Sequence, residues 1–208
     1  WNIAPNYDAT FTPRYLADHG YLLQSEFRHK SVYFDTELSG SSLNNDRGGF
    51  SERLQDQIEA GEIDEAEAYP YKGRDRWQYN LLQTGGRNQR WSSLIDYTEV
   101  SDTDYIRDVD RGAVDLNRQA YIRQTFSAGY RTDNWRLSGK AEEFRLLTTS
   151  QLPYRELPRL QANGRYRVSD WVVTLDNEYT NFSMNRYFSD DPNNASRLGD
   201  LIVGERFR

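Results

Sequence analysis

The chain has no cysteine, one methionine, two histidines and six prolines among 208 residues. Without thiols, disulfides, thiolate metal sites and cysteine nucleophiles are excluded within this stretch. No apolar run approaches the roughly 18 residues that a membrane-crossing helix needs, and the mean hydropathy is −0.92. Neither shortage excludes a membrane β-barrel, where alternate residues of each strand face a polar interior. Positive charge is also short: the net charge is −6, so no nucleic-acid partner is expected. What abounds is aromatic, with 15 Tyr, 9 Phe and 5 Trp. That balance suits strands and aromatic girdles better than a helical core.

The first fifteen residues alternate. Trp1, Ile3, Pro5, Tyr7, Ala9, Phe11, Pro13 and Tyr15 fall on one side, and Asn2, Asn6, Asp8, Thr10, Thr12 and Arg14 on the other, with only Ala4 out of step. Period two predicts one long two-faced strand. A turn at Ala17-Asp18-His19-Gly20 follows, then a strand over 21–29 with Gln24, Glu26 and Arg28 on its polar side. Near Lys30 the parity flips without Gly or Pro, which we read as a tight turn leading into a strand over 32–39.

Residues 40–75 are polar. Ser51 to Ala60 read as a short helix stopped by Gly61, and the acidic run 62–67 as a solvated loop. Strands are then expected at 76–82, 91–100, 120–130, 135–146, 157–167, 171–182 and in part at 198–207, about ten in all. From the third strand on, long and short connections alternate. With a turn at Lys30, all long loops fall at one end of the sheet and all short turns at the other, the outer-membrane barrel pattern. Trp91, Tyr130, Trp135, Tyr166 and Trp171 flank the short turns, as a membrane-interface girdle would. The strand pattern already runs at Trp1 and still runs at Arg208, so the chain is expected to be an excerpt of something longer.

No catalytic, cofactor-binding or metal-binding constellation stands out. Asp102, Asp104, Asp108 and Asp110 lack the Gly and terminal Glu of an EF-hand loop and read as a solvated acidic turn. His19 and His29 sit at expected turns, and Gly85-Gly86 is a turn signal without a following Lys-Ser/Thr.

The run Trp1-Asn2-Ile3-Ala4-Pro5-Asn6-Tyr7-Asp8-Ala9-Thr10 with Thr12-Pro13-Arg14-Tyr15 resembles the first barrel strand of the LptD (Imp/OstA) lipopolysaccharide-assembly family. Asp96-Tyr97-Thr98-Glu99-Val100-Ser101-Asp102, Tyr105 with Asp108, and Leu152-Pro153-Tyr154-Arg155-Glu156-Leu157-Pro158 are similar to it too. The resemblance implies an all-β, antiparallel up-and-down transmembrane β-barrel of 26 strands in the outer membrane of a Gram-negative bacterium. Residues 1–208 would be its N-terminal part, with the periplasmic jellyroll domain and the remaining strands absent. It also implies a non-enzymatic function without cofactor: assembly of lipopolysaccharide into the outer leaflet. The implied partners are lipopolysaccharide, an LptE-like lipoprotein plug in the lumen, and the periplasmic transport bridge acting through the jellyroll. Lipopolysaccharide would leave sideways between the first and last strands.

On that reading Pro5 and Pro13 become lateral-gate candidates. Both lack an N–H, and their even spacing puts the missing donors on one edge of a regular strand. The alternative is that they guard an exposed edge against aggregation. If the apolar faces meet lipid, Asn2, Asn6, Asp8, Thr10, Thr12, Arg14, Gln24, Glu26 and Arg28 face the lumen. The competing classes are another outer-membrane barrel, porin-like or enzymatic, and a soluble β-sheet binding protein.

Overall fold

Alternating side chains separated by polar breaks fold here into one antiparallel sheet in which every strand pairs with its sequence neighbours. The computed structural model describes residues 1–109, 121–147, 154–183 and 204–207. The strands are β1 (Asn2–Ala4), β2 (Tyr7–Leu16), β3 (Gly20–Lys30), β4 (Phe34–Leu43), β5 (Arg76–Gly85), β6 (Trp91–Val100), β7 (Tyr121–Arg131), β8 (Trp135–Leu146), β9 (Arg155–Val168), β10 (Trp171–Ser183) and β11 (Gly204–Phe207). Helices α1 (Glu52–Glu59), α2 (Glu65–Ala68) and α3 (Tyr105–Asp108) lie in the connections. Among the described residues no helix is long and apolar enough to cross a membrane. The fold is an all-β, up-and-down antiparallel sheet, the architecture of a β-barrel segment.

The expected break at Lys30 is a tight turn. Ser31 N donates to Phe34 O at 2.7 Å, and Phe34 N donates to Ser31 Oγ at 2.9 Å. At the next short turn Gly86 has φ +82, and a Cβ there would lie 2.0 Å from the Trp91 carbonyl oxygen. The short connections 31–33, 86–90, 132–134 and 169–170 share one end of the sheet. The hairpin 17–19 and the described parts of the long connections, 44–75 and 101–109, share the other.

Strand limits differ from the sequence reading in several places, β5 for one running three residues past 82 to Gly85, and two of the differences bear on the site. The first strand is not continuous, because the chain reverses at Pro5-Asn6 and β1 pairs back on β2, Asn2 opposite Asp8 and Ala4 opposite Tyr7. Proline presets φ near −65° for the leading position of such a turn. Alternation could not reveal the reversal: Asn2 and Asp8 share parity, and the register shift that sets Ala4 opposite Tyr7 falls where Ala4 is already out of step. The third predicted strand, in turn, runs four residues further, to Leu43. Ser39 to Ser42 lack apolar alternation but pair with β5 at Asn80, Tyr79, Gln78 and Trp77. Of the predicted loops, 110–117, 148–153 and 184–197 lie outside the described residues, as do Asp110 and residues 198–203 of the last predicted strand.

Cross-strand register sorts the side chains into two faces. Pro13 lies opposite Leu23, Phe27 opposite Leu38, Leu38 opposite Leu81, Leu81 opposite Tyr97 and Tyr130 opposite Leu137. These residues line one apolar face, on which Phe11, Tyr21, Leu23 and Trp171 are exposed by 60, 75, 49 and 77%. In water such a face is unfavourable by roughly 1.5–3 kcal/mol per large side chain left unburied. In hydrocarbon it is favourable. Ring pairs mark its margins: Trp135 with Tyr166 and Phe34 with Trp91 at the short-turn end, Tyr15 with Tyr21 and Trp77 with Tyr79 at the other. Phe34 and Ser42, which pair with Gly85 and Trp77, are eight strand steps apart. That is about 27 Å along the strand at ~3.4 Å per residue, or roughly 20 Å of height at the tilt of about 35–45° usual in outer-membrane barrels, whose apolar band is about 25 Å tall. Beyond the band the same face turns polar, with Arg145 on Glu99 at 3.2 Å and Arg155 on Glu143 at 3.3 Å.

Candidate functional site

The free edge of β2 and the polar face beside it form the first part of the site. Lys30 N donates to Asn6 O at 2.9 Å, so even-numbered residues of β2 exchange hydrogen bonds with β3. Ala9 N donates instead to Trp1 O at 2.9 Å, so odd-numbered residues face away from β3. Pro13 is odd. Its missing N–H therefore weakens the edge away from β3. Pro5 does not share that edge, because it occupies the β1–β2 turn, and the two-proline seam expected of a regular strand reduces to Pro13. Among the described residues β2 has no strand neighbour on that side beyond Ala9. From Phe11 to Tyr15 this edge offers two N–H donors where an ordinary strand would offer three.

The register puts Asp8 opposite Arg28, Thr10 opposite Glu26 and Thr12 opposite Gln24, all on the polar face. Asn2, Asn6, Asp8, Thr10 and Arg28 line one hollow of about 610 Å³, together with Asp35, Glu37 and Thr84. Thr10, Thr12, Gln24 and Glu26 line a second of about 260 Å³. Arg14 is in β2 on the same face but borders neither. Arg28 donates to Asp8 at 2.8 Å and approaches Glu26 at 3.2 Å. The wall is thus polar and largely charge-compensated.

The second part was not legible in the sequence. Arg76, the first residue of β5, is 1% exposed and points into the long-loop end of the sheet. Its Nε and one terminal nitrogen donate to the two Asp102 oxygens at 2.9 and 2.7 Å. Its other terminal nitrogen donates to Asp46 at 2.9 Å, while the one shared with Asp102 also donates to Asp108 at 3.3 Å. The guanidinium lies 4.1 Å from the Tyr71 ring centroid. Asp46 also meets His19 Nδ1 at 2.8 Å and accepts from Gly48 N at 2.8 Å. Beneath the cluster pack Leu22, Leu43, Tyr105 and Val109, with Leu16 against them.

The acidic residues read as a solvated turn are corrected accordingly: Asp102 and Asp108 hold a buried cation, and Asp104 accepts from the Tyr71 hydroxyl at 2.8 Å. A lone Arg at a strand start gives no signal of this. Its partners come from loops 26 to 32 residues away. Burial alone would raise the Asp102 carboxyl, but hydrogen bonds from Arg76 and Ser101 hold it below the ordinary carboxylate range. Burial, followed by the Asp104 hydrogen bond, pushes the Tyr71 phenol up to about 12. Of the polar 40–75 stretch, α1 forms as expected and Gly61 has φ +72. In the acidic run Glu65 to Ala68 form a short helix, and Glu65 pairs with Lys72.

A model of the family described as "LptD: LPS transport system D" matches residues 74–199. The "LPS-assembly protein LptD" of Saccharophagus degradans is 41% identical over 99% of this chain, which corresponds to 24% of that protein. The chain belongs to the LptD family. Proteins of the same description from Pseudomonas savastanoi pv. phaseolicola and Pseudomonas aeruginosa are 29 and 31% identical over 98 and 92% of the chain, covering 21 and 20% of their lengths. The chain thus spans about a quarter of the length of the LptD relatives it matches. The family model begins close to Arg76 and so includes the Asp102 and Asp108 arm of its cluster, while Asp46 precedes it.

Proposed function

We propose that this chain is part of an outer-membrane barrel that moves lipopolysaccharide to the outer leaflet, a transport and assembly role without covalent chemistry. The relatives are named for lipopolysaccharide assembly. The observation that carries the reading is the pairing of two unlike faces along one edge. An amphiphile with a charged saccharide headgroup and acyl chains needs a hydrated wall for one half and hydrocarbon for the other. Moving the headgroup through an apolar medium would leave its polar groups unpaired. Along β2, Asp8, Thr10 and Thr12 serve the first need, while Phe11, Pro13 and Tyr15 face the second. The Phe11–Tyr15 edge, short of a donor at Pro13, is where strands part with least loss of hydrogen bonding. It is the proposed lateral exit.

Pro5 contributes to that exit indirectly, by folding β1 back so that only the part of the edge beyond Ala9 is left to a closing strand. A larger barrel completed by further strands, a lipoprotein plug of the LptE kind in its lumen, and a jellyroll domain docking the periplasmic transport bridge belong to the same proposal. The direct test places a photo-crosslinking amino acid at Thr10 of the full-length protein in cells. Capture of lipopolysaccharide during active delivery is expected. Absence of capture at Thr10 and at Thr12, in properly assembled protein, would sink the reading.

A further inference from the structure

Four arginines stand on the polar face at the short-turn end: Arg131 closing β7, Arg136 in β8, and Arg165 and Arg167 in β9. Arg131 lies directly opposite Arg136, and Arg136 opposite Asn163, two residues from Arg165. Directly opposed residues are about 5 Å apart and diagonal ones about 7–8 Å, and Arg167 lies two residues beyond Arg165 on the same face, so the four side chains leave the sheet at neighbouring positions. All four are exposed. Among the described residues none of them forms an ion pair. Neighbouring Arg90 is matched, by Asp133 at 3.1 Å. Asp176 is diagonal to Arg165 on the same face, opposite Asn163, and does not pair with it.

Further along β8 and β9 the wall is neutralised. Lys140 meets Glu142 and Glu156 at 3.0 and 3.2 Å, and Arg159 meets Glu178 at 2.9 Å. Like charges placed directly opposite each other destabilise a strand pair, so the uncompensated rim stands out against a compensated wall. Two guanidinium forks side by side present the planar, bidentate geometry that suits phosphate. On the other face of these strand ends stand Tyr130, Trp135, Tyr166 and Trp171, the ring types that mark the headgroup level of a bilayer. The patch therefore lies inside the barrel wall at the depth where lipid phosphates lie outside it.

We propose that Arg131, Arg136, Arg165 and Arg167 form a receiving site for the phosphate-bearing headgroup of the transported glycolipid at the rim where it enters. This rests on the translocation role proposed above. The match of depth is what favours a lipid phosphate over the carboxylates of a docked protein.

The test uses the full-length protein isolated from outer membrane with whatever accompanies it. A photo-crosslinker at Asn163 is challenged with intact lipopolysaccharide and with lipopolysaccharide stripped of phosphate. The site predicts capture of the intact lipid, falling about tenfold on phosphate removal. It predicts a similar fall in the R136Q/R165Q variant, partial recovery in R136K/R165K, and little competition by inorganic phosphate. Capture at Thr10, remote from the patch, reports that the variants assemble. Asn163 capture indifferent to phosphate and to both arginines overturns the site while Thr10 capture keeps the translocation reading. Capture of a protein at Asn163 in place of lipid also overturns it. Loss of lipid capture at both positions in the unsubstituted protein rejects the translocation reading itself.

Discussion

Removing the Arg76 side chain would strand Asp102, which has no other cation partner among the described residues, and would leave Asp46 with only His19. The Asp46 side chain is fully buried and that of Asp102 is 14% exposed. Breaking a buried pair by deleting one partner typically costs about 3–5 kcal/mol. Because the cluster joins loops to the sheet, the expected effect of Arg76→Ala is local: connection 44–75 detaches while the strands stay paired. Trypsin cleavage at Lys72 and Arg74 should accelerate at least tenfold, with the heat-resistant electrophoretic mobility of the barrel unchanged. Unchanged cleavage would show that the cluster does not hold the loop.

The same cluster predicts a pH window. Asp102 is held below its unfolded value of about 3.9, so its contribution is complete above that value and is lost as pH falls through the lower folded one. Tyr71 is raised from about 10 to about 12, so its contribution is complete below pH 10 and is lost as pH rises toward 12. Protease resistance of the loop should be flat through neutrality and decline at both extremes. In Tyr71→Phe the alkaline decline alone should disappear.

At the scale of the element, one strand and one turn carry decisive single residues. Pro13→Thr restores an N–H to the outward edge of β2 and keeps a strand-compatible side chain. In the full-length protein it should tighten pairing with the closing strand and slow the surface appearance of lipopolysaccharide severalfold, measured by surface labelling after pulsed synthesis. Gly86→Ala should act on folding instead. It adds a Cβ 2.0 Å from the Trp91 carbonyl at φ +82, which requires the β5–β6 turn to rearrange at about 1–3 kcal/mol. Slower assembly with normal transport per folded molecule is the expected outcome.

Strand limits at Trp91, Val100, Trp135 and Trp171 were legible because an aromatic or a polar break coincides with the end of alternation. The end of β4 was not, since Ser39-Gly40-Ser41-Ser42 owes its strand state to pairing with β5. Nor was the Pro5 reversal, whose register shift falls where Ala4 already breaks the alternation.

Over the whole molecule, the assignment of the apolar face to lipid makes a paired prediction. Leu38 lies mid-band between Phe27 and Leu81, and Leu38→Arg should cost roughly 2–4 kcal/mol of bilayer folding stability. Ser39→Arg, one residue away on the polar face, should cost little. Equal costs would place the bilayer elsewhere.

The sequence alone determined that there are two faces, how many long strands there are, and at which end each connection lies, because period two and turn chemistry are local properties of the chain. It also carried the family likeness. Only the tertiary structure decided which edge Pro13 weakens, since that depends on which residues bond to β3. Only the structure brought Asp46, Asp102 and Asp108 onto Arg76, and set Arg131 beside Arg136 and Arg165. Those groups are far apart in the chain, and electrostatic partnership follows distance in space, which strand register sets.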